Sequence, residues 1–441
     1  MSITPYTPPC PISHSALVCP DAVAIETDSL IFSYKELEEA VAARAKQLSN
    51  LGIQSGMRIA FIAKGDFTTV LTLFALFRLE AAAALLSFRE PESSINQKIE
   101  QLQAHYLLEN SLNGPRLIPK NEKGPKNSAK IATMLFTSGS SGKAKIACHS
   151  LSNFLTLARS ANERSRLKRD DLYLLSLPLF HVGGIALLIR TFLAGSSLRI
   201  SEKKPGDIAT SHLSLVPTQL RDLLKNGRHY PRFVLLGGAP IPPDLVEEAK
   251  LKGIAIYKTY GMTEMSSQIC TALPEGALLP LSCAEVGLAE DGEIFVKGEG
   301  LFLGYWPELR APIDSDGFFH TGDLGKWDKD GGLCYLGRKD RLFISGGENI
   351  QPEEVEEILR AAFPEREIWI VPIDDARYGK RAAALFSGEL PTLAQVEKAL
   401  ADMLPKYKWP VAVAALPEIG GGIKRSAASL AAISDSLVAR G

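Results

Sequence analysis

Two strands with a helix between them follow one another in residues 57–88, and this succession constrains the fold more than any other feature of the chain. Residues 57–65 (MRIAFIAKG) predict a strand, 66–80 a helix and 82–88 a second strand. Such a unit places its two strands parallel in one sheet. The same rhythm recurs in short apolar runs at 171–178, 213–217, 233–238 and 254–258. The sequence therefore predicts an α/β protein with parallel or mixed sheets flanked by helices.

Two further patterns precede residue 131. Residues 33–52 open with a capping box formed by Ser33 and Glu36, continue with apolar residues at helical spacing and reach Gly52, a candidate C-cap. Residues 108–130 are rich in Asn, Lys and Pro, which predicts an excursion on the surface.

The pattern of predicted elements changes twice, first at about residue 285 and again near 338–350. Short strands between glycines (GEIFVKG, LGYW and GGLCYLG) predict a small antiparallel β region. A break near 338–350 is followed by a helix with Pro352 in its first turn, by two strands, and by a helix capped by Thr392 and Gln395. A chain of 441 residues is also too long for one ordinary core. We therefore predict a large N-terminal domain over 1–338 and a small α+β domain over 339–441.

The composition argues against several classes of protein. The 49 basic and 50 acidic residues give a net charge of −1, so no charge excess favours a nucleic acid or an anionic membrane as partner. Six cysteines are scattered without a CxxC pair, which predicts reduced thiols in a cytoplasm rather than a disulfide framework or a zinc site. The N-terminus lacks the pattern of a signal peptide, and Arg78 and Glu80 interrupt the most apolar stretch, 68–88. We therefore expect a cytoplasmic protein without an integral membrane segment.

The stretch FTSGSSGKAK, residues 136–145, combines small hydroxyl residues, glycines and lysines. A buried strand is predicted before it and a helix at 152–164 after it, and a loop from a strand into a helix can direct backbone N–H groups at an anion. A Walker A loop is excluded, because only two residues separate Gly139 from Gly142 and Ala144 follows Lys143. The stretch therefore predicts a phosphate cradle of another geometry, and a flexible Gly/Ser linker is the alternative.

Six more motifs follow this loop in a fixed order. They are SLPLFHVGG (176–184), LLGGAPIP (235–242), KTYGMTEMSS (258–267), HTGDLG (320–325), GRKDRLFISGGENIQPEEVE (337–356) and GGIKR (421–425). Together with the loop they resemble the acyl-adenylate-forming superfamily, over roughly residues 20–430. The resemblance implies that a carboxylate attacks the α-phosphate of ATP in the presence of Mg²⁺, and that a thiol, usually coenzyme A as co-substrate, then displaces AMP.

The resemblance also implies a nucleotide site. The residues implied at the β- and γ-phosphates are Thr137, Ser138, Gly139, Ser140, Ser141, Gly142 and Lys145. The residues implied around adenosine are Gly238, Ala239, Pro240, Tyr260, Gly261, Met262, Thr263, Asp323 and Arg338. Tyr260 is expected to stack on adenine, Asp323 to accept hydrogen bonds from the ribose hydroxyls, and Glu264 to bind Mg²⁺ as a hard oxygen ligand. The alternatives are an ordinary strand-to-helix turn at 238–240, a solvated Glu264 and a turn-forming Asp323.

Further roles follow from the resemblance for the C-terminal part of the chain. Lys424 is the expected catalytic lysine, whose charge would stabilise the α-phosphate under attack, and a solvated lysine is the alternative. Asp340 falls at the hinge between the two domains. Gly346 and Gly347 would border the pantetheine tunnel. The chain departs from the family pattern at Ala144, where proline is usual, and at Ile423, which separates the glycines from Lys424.

His181 and Arg190 concern the acid that is activated. The resemblance implies a catalytic His181 at the acyl pocket and in the path of the thiol, and a packed core histidine is the alternative. Arg190 lies in the apolar stretch IALLIRTFLAG, where an unpaired arginine would be costly, so that it needs an anion. A substrate carboxylate would supply one, and a structural salt bridge or a side chain that reaches the surface are the alternatives.

The residues in and around these motifs also resemble one branch of the superfamily, the 2-succinylbenzoate–CoA ligases of menaquinone biosynthesis. Their substrate has two carboxylates, of which one is adenylated and the other, on the ring, would meet Arg190. An acyl- or aryl-CoA ligase for another carboxylic acid is a first alternative. A stand-alone binding or adenylation protein that loads a carrier is a second, and the sequence leaves a homo-oligomer open.

Overall fold

The computed structural model describes residues 10–111, 114–126, 130–137, 145–239, 241–401 and 403–416. The helices within these ranges are α1 (Pro11–Val18), α2 (Tyr34–Asn50), α3 (Phe67–Arg78), α4 (Glu92–Gln101), α5 (Leu151–Ser165), α6 (Val182–Leu193), α7 (Pro217–Asn226), α8 (Pro243–Leu251), α9 (Pro352–Ala362) and α10 (Leu393–Leu400). The 3₁₀ turns are Thr263–Met265, Lys339–Arg341 and Lys406–Lys408.

The strands follow in chain order. They are β1 (Val23–Glu26), β2 (Ile31–Ser33), β3 (Arg58–Ala63), β4 (Ala82–Ser87), β5 (Tyr106–Ser111), β6 (Gly114–Pro119), β7 (Thr133–Thr137), β8 (Lys145–His149), β9 (Leu172–Leu174), β10 (Ser197–Arg199), β11 (His212–Leu215), β12 (Phe233–Leu236), β13 (Ala255–Met262), β14 (Ser267–Ala272), β15 (Leu278–Pro280), β16 (Ala284–Leu288), β17 (Glu293–Gly298), β18 (Gly304–Trp306), β19 (Phe319–Trp327), β20 (Leu333–Arg338), β21 (Phe343–Ser345), β22 (Glu348–Ile350), β23 (Ile368–Asp375), β24 (Gly379–Phe386) and β25 (Ala412–Ala415).

The predicted β3–α3–β4 unit lies in a seven-stranded sheet with the order β18-β8-β7-β4-β3-β5-β6. β3 and β4 pair in parallel, as the sequence predicts. The Asp66 side chain accepts a hydrogen bond from the Thr69 backbone at 2.7 Å and so starts α3. Most of α3 is apolar, and it is buried in a core that also includes α2 and α6.

A nine-stranded sheet has the order β15-β14-β13-β12-β11-β9-β10-β1-β2. Its parallel strands β9, β11, β12 and β13 lie within or overlap the apolar runs predicted at 171–178, 213–217, 233–238 and 254–258, and β10 pairs in parallel with β9. Because the carboxyl ends of parallel strands meet at one edge of a sheet, the loops that follow β11, β12 and β13 lie close together. The prediction of an α/β fold with parallel and mixed sheets is confirmed.

Two local predictions are wrong. The next described element after β7 is β8, which pairs antiparallel with β7, and α5 begins only after β8, so the stretch 136–145 does not lead from a strand directly into a helix. Within 108–130, β5 and β6 form an antiparallel hairpin, and the described residues of 109–126 are exposed or half-buried, which agrees with an excursion on the surface. The strand in LGYW, β18, pairs with β8 in the seven-stranded sheet rather than with the small β region, because register with a distant strand is not visible in a local pattern.

The later strands form smaller sheets. β16, β17, β19 and β20 make a four-stranded antiparallel sheet, which confirms a small antiparallel β region after residue 285. β21 pairs with β22, and β23, β24 and β25 form a three-stranded sheet. A hydrophobic cluster between Phe343 and Leu400 packs α9 and α10 on these last strands. The domain division at 338/339 stays a prediction.

Two findings bear on the expectations from composition. None of the helices within the described ranges combines the length and apolar character that crossing a membrane requires. All six cysteines are unpaired; Cys10, Cys19, Cys148 and Cys270 are buried, and Cys283 and Cys334 are half-buried.

Candidate active site

Of the predicted adenosine residues, Gly238, Ala239 and those at 260–263 lie at or just after the carboxyl ends of β12 and β13, whereas Asp323 and Arg338 are on the antiparallel strands β19 and β20. Gly238 and Ala239 follow β12 and are exposed, and Gly238 has a φ of +76°, a left-handed conformation that favours glycine. Tyr260 to Met262 form the end of β13, and Gly261 faces β14 so closely that a Cβ there would lie 1.7 Å from the Ser267 carbonyl oxygen. Only glycine fits at this point of the β13–β14 ladder.

Tyr260, Asp323 and Arg338 form one hydrogen-bonded group. The Tyr260 hydroxyl donates to Oδ2 of Asp323 at 2.7 Å, and Nη1 of Arg338 donates to Oδ1 at 3.0 Å. The Arg338 guanidinium also donates to both oxygens of Asp340, at 3.2 and 3.4 Å. One arginine therefore joins the predicted ribose ligand to the predicted hinge residue.

Burial governs the electrostatics of this group. It raises the pKa of the Asp323 carboxyl above its usual range, although the Arg338 charge and the Tyr260 hydroxyl act in the opposite direction. Burial and the Asp323 charge also raise the pKa of the Tyr260 phenol. Burial alone would lower the pKa of Arg338, but the hydrogen bonds and charges of Asp340 and Asp323 raise it. Tyr260 therefore stays a donor and Arg338 a cation at any pH where the protein would work.

Glu264 is buried rather than solvated, so the surface alternative is wrong. Its side chain lies in the 3₁₀ turn after β13 and is 8% exposed. The Tyr305 hydroxyl donates to Oε1 of Glu264 at 2.7 Å, and Nζ of Lys145 lies 4.8 Å from the centroid of the Tyr305 ring. Tyr305 thus links the lysine at the end of the predicted phosphate loop to the predicted magnesium ligand.

The carboxylate of Glu264 fits a magnesium ion that takes most of its ligands from elsewhere. The described residues contain no cluster of three or more His, Cys, Asp or Glu side chains able to hold a metal by themselves. Mg²⁺ usually binds one or two carboxylates together with substrate phosphates and waters. A single buried carboxylate, which Tyr305 connects to Lys145, meets that requirement.

His149 holds the 3₁₀ turn in place through a hydrogen bond to its backbone. It is fully buried, and its Nε2 lies 2.7 Å from the carbonyl oxygen of Thr263, to which it donates. Burial lowers the pKa of His149 to about 4, so that the ring is neutral near pH 7. The end of β8 therefore fixes the turn that carries Glu264.

The two predicted acid-site residues are both on α6. His181 is the N-cap residue, and its side chain is exposed, so the alternative of a packed core histidine is wrong. Arg190 lies in the last turn and is only 3% exposed, so its side chain does not reach the surface. Within the described residues no carboxylate forms an ion pair with Arg190, which disfavours a structural salt bridge.

Neutral oxygen atoms surround the Arg190 guanidinium. Nη1 donates to Oε1 of Gln268, and Nη2 donates to the Tyr173 hydroxyl at 3.3 Å and to the Ser214 hydroxyl at 3.2 Å. The Nε–H group is buried and has no acceptor in the described part of the chain. This arrangement leaves a buried positive charge that none of the described residues neutralises.

Gly346 and Gly347 form the two-residue turn between β21 and β22. Both have positive φ angles, +59° and +91°, which is the backbone of the tight hairpin turns that glycine favours. A Cβ at Gly346 would also lie 2.7 Å from the Tyr378 ring. The turn explains the two glycines locally, and a role towards pantetheine stays a prediction.

Several predicted residues lie outside the described residues. They are Ser138, Gly139, Ser140, Ser141, Gly142, Pro240 and Lys424. Of the predicted phosphate loop the structure describes Thr137, whose hydroxyl lies 3.4 Å from the Lys145 carbonyl oxygen, and Lys145 itself. These two residues pair at the end of the β7–β8 ladder, so that the loop begins and ends at one place.

Sequence reasoning missed Tyr305, His149 and Gln268. Tyr305 reaches a residue 41 positions away and His149 one 114 positions away, and Gln268 meets an arginine 78 positions away. A local pattern carries no signal for such contacts. Gln268 adjoins the motif KTYGMTEMSS, and this adjacency was the one available hint.

The chain resembles known proteins over nearly its whole length. Residues 12–306 match the family model described as AMP-binding enzyme. The 2-succinylbenzoate–CoA ligase of Bacillus cytotoxicus is 32% identical over 455 residues, which cover 92% of this chain and 94% of that protein.

Two solved structures of o-succinylbenzoate CoA synthetase (MenE) from Bacillus subtilis have the same fold. The complex with the acyl-adenylate intermediate OSB-AMP has a TM-score of 0.83 at 27% identity, with 96% of each chain covered. The complex with ATP and magnesium ion has a TM-score of 0.81 at 27% identity, with 95% of this chain and 97% of that chain covered. With a family model that spans more than half of its residues, the chain belongs to the AMP-binding enzyme family.

Proposed function

We propose that this protein is an ATP-dependent ligase that adenylates 2-succinylbenzoate and transfers the acyl group to coenzyme A, with release of pyrophosphate and AMP. The observation that carries the choice of acid is the buried Arg190 guanidinium, which meets only neutral oxygen atoms. The similarity to a 2-succinylbenzoate–CoA ligase over 92% of the chain supports the same reaction. The reaction would place the protein in menaquinone biosynthesis, and its scattered, unpaired cysteines favour the cytoplasm.

In this proposal the adenosine lies along the ends of β12 and β13. Tyr260 stacks on the adenine, beside Gly238, Ala239 and Pro240, and the Asp323 carboxylate accepts from the ribose hydroxyls. Because Tyr260 and Arg338 already donate to its two oxygens, Asp323 is held in a fixed orientation before a nucleotide binds.

The phosphates would lie between the 138–142 loop and the 3₁₀ turn. Lys145 and the loop N–H groups neutralise the leaving pyrophosphate, and Glu264 holds Mg²⁺, which when bound neutralises charge on the phosphate oxygens. Lys424 stabilises the α-phosphate while the carboxylate attacks it. Rotation at Asp340 then brings Gly346 and Gly347 to the path of coenzyme A, and His181 lies where the thiol meets the acyl group.

The second carboxylate of the acid would pair with Arg190. A charge-assisted hydrogen bond in a buried site is stronger than a neutral one. Removal of one partner from a desolvated pair costs about 2–5 kcal/mol. An acid without that carboxylate would leave the arginine buried and unpaired, so the site would select a dicarboxylic acid.

A coupled assay with ATP, coenzyme A and a panel of carboxylic acids tests the proposal. We expect AMP, pyrophosphate and a CoA thioester, with 2-succinylbenzoate preferred over the analogue that lacks the ring carboxylate. Release of ADP in place of AMP would contradict the reaction. Equal use of both acids would contradict the substrate, and AMP formation that never yields a CoA thioester would favour a protein that loads a carrier.

A further inference from the structure

We propose that Gln268 is the residue that keeps Arg190 available for the second carboxylate, because it holds the guanidinium in place with a neutral amide. The inference rests on the proposed function and adds a specificity-determining residue to it. Gln268 acts through Arg190, so it is a positioning residue rather than a catalytic one.

The first observation is the position of the guanidinium over the sheet. Its amide acceptor, Gln268, is on β14, and the hydroxyl of Ser214 is on β11. β13 and β12 lie between these two strands in the sheet. Gln268 pairs directly with Gly261 in the β13–β14 ladder. Arg190 therefore lies across the strands that carry the predicted adenosine residues.

The second observation fixes the orientation of the amide. Nε2 of Gln268 donates to the Thr271 hydroxyl at 2.8 Å, and that hydroxyl lies 3.3 Å from the hydroxyl of Thr259. Thr259 in turn donates to the Cys270 carbonyl oxygen at 2.8 Å. In the opposite orientation the amide NH₂ would face the donors of Arg190, and both partners would lose their hydrogen bonds. The threonines thus direct the Gln268 oxygen at the guanidinium.

The third observation is the charge of the surroundings. The side chains that hold Arg190 are an amide, a phenol and an alcohol, and Gln268 is itself only 3% exposed. Asp171, the buried acid that directly precedes β9, is already bound by Arg232. A carboxylate in the place of the amide would have the same size and would neutralise Arg190 within the protein. The amide holds the arginine without consuming its charge, and its buried Nε–H group still lacks an acceptor within the described ranges.

The substitution Gln268→Glu tests this inference, because it changes the charge and almost nothing else. We expect kcat/KM for 2-succinylbenzoate to fall on the order of a hundredfold, mainly through KM, since the new carboxylate competes for Arg190. The monocarboxylate analogue without the ring carboxylate should change by less than about threefold, and the affinity for ATP, measured by calorimetry, should stay the same.

Gln47→Glu is the matched control. Gln47 also accepts a hydrogen bond from an arginine, Arg44, at 3.0 Å, but it is exposed on α2 and outside the candidate site. This variant should leave both acids and ATP unaffected. If Gln268→Glu does not fold, Ser214→Asp places a carboxylate against the other side of Arg190 and is expected to give the same pattern.

The outcomes separate the two proposals. A wild-type protein that prefers the dicarboxylic acid, together with a variant that keeps this preference, overturns the inference and leaves the proposed function intact. Equal losses on both acids also overturn it, because they indicate a structural role. A wild-type protein with no preference for the dicarboxylic acid overturns the proposed substrate and the inference with it.

Discussion

The contact between Tyr305 and Glu264 is the residue-scale feature with the most direct chemical consequence. Tyr305→Phe removes the hydroxyl that donates to Oε1 of Glu264 and keeps the ring beside Lys145. A hydrogen bond to a charged group is worth about 1.5–3 kcal/mol. We therefore expect the half-saturating concentration of Mg²⁺ to rise roughly tenfold in the variant, because the carboxylate is no longer held in place.

Calorimetric titration of ATP at several Mg²⁺ concentrations measures this effect independently of turnover. Tyr407→Phe, at a partly exposed tyrosine in the C-terminal part, is the control. An unchanged Mg²⁺ requirement in folded Tyr305→Phe would mean that Glu264 does not depend on this hydroxyl.

The second residue-scale prediction concerns acid stability. The pKa of buried His149 is lowered to about 4, whereas an unfolded histidine has a pKa of about 6.5. The unfolded chain therefore binds the proton first, so this stability is complete above about pH 6.5 and is lost as the pH falls towards 4. Between pH 7.5 and 5 the loss amounts to about 2 kcal/mol.

Urea unfolding at the two pH values measures that loss. His149→Gln removes the titrating ring and should make the free energy of unfolding depend less on pH. His229→Gln, at an exposed histidine, should keep the dependence of the wild type. The buried His212, whose pKa burial also lowers to about 4, contributes to the remaining slope in both variants.

At the scale of single residues, the sequence could predict which residue types matter but not which other residues they contact. The apolar surroundings of Arg190 predicted that an unpaired charge there would be costly, and they left open whether the side chain would reach the surface. Its actual partners, Gln268 and Ser214, come from two other strands. Only the packing of α6 across the sheet brings them together.

At the scale of elements, we expect the two glycines at the start of α6 to respond differently to substitution by alanine. A Cβ at Gly184 would lie 2.3 Å from the Pro178 carbonyl oxygen, which is backbone and cannot move without the loop. A Cβ at Gly183 would lie 3.1 Å from the end of the flexible Leu177 side chain. We expect Gly184→Ala to destabilise the protein by about 1–3 kcal/mol, as overpacking does, and Gly183→Ala to change its stability by less than about 1 kcal/mol.

Thermal unfolding compares the stability of the two variants. The assay with 2-succinylbenzoate and its monocarboxylate analogue shows whether α6 has moved. Because α6 carries Arg190 at its other end, Gly184→Ala should also weaken use of 2-succinylbenzoate. Equal stability of the two variants would show that the 177–184 loop yields more easily than its backbone contact indicates.

Elements with strong local signals were predictable. The capping boxes at Ser33 and Thr392 start α2 and α10 as expected, and β3, α3 and β4 lie within a few residues of their predicted bounds. β8 was not predictable, since its five residues adjoin a helix cap and gain their role only by pairing with β7 and β18. Short strands depend on neighbours that the local sequence does not reveal.

At the scale of the whole molecule, the predicted two-step reaction assigns Lys424 to one step only. Its charge is needed while the α-phosphate is attacked and not once the acyl-adenylate exists. We expect Lys424→Ala to reduce adenylation by at least about a hundredfold and to leave transfer from a synthetic acyl-adenylate to coenzyme A within about threefold of wild type. Arg425→Ala, at the next residue, is the control. Equal losses in both half-reactions would assign Lys424 a structural role.

The sequence could not predict the order of strands in the large sheets. The βαβ rhythm predicted parallel pairing, and the parallel pairing of β9 to β13 follows it. At one edge of the nine-stranded sheet, β1 pairs with β10, and this pairing joins residues more than 160 positions apart. Such pairings result from the packing of helices on both faces, which no stretch of sequence shows by itself.

The burial of the cysteines has a practical consequence for following motion. Burial raises the pKa of the Cys148 and Cys270 thiols to about 12, and Cys10 and Cys19 are also shielded from solvent. Because maleimide dyes react with the accessible thiolate, these four positions would label very slowly, and the half-buried Cys283 and Cys334 only partly. A cysteine introduced at exposed Lys380 would therefore take up dye first. Fluorescence from that dye could record the rotation predicted at Asp340 during turnover in a protein that keeps all its native thiols.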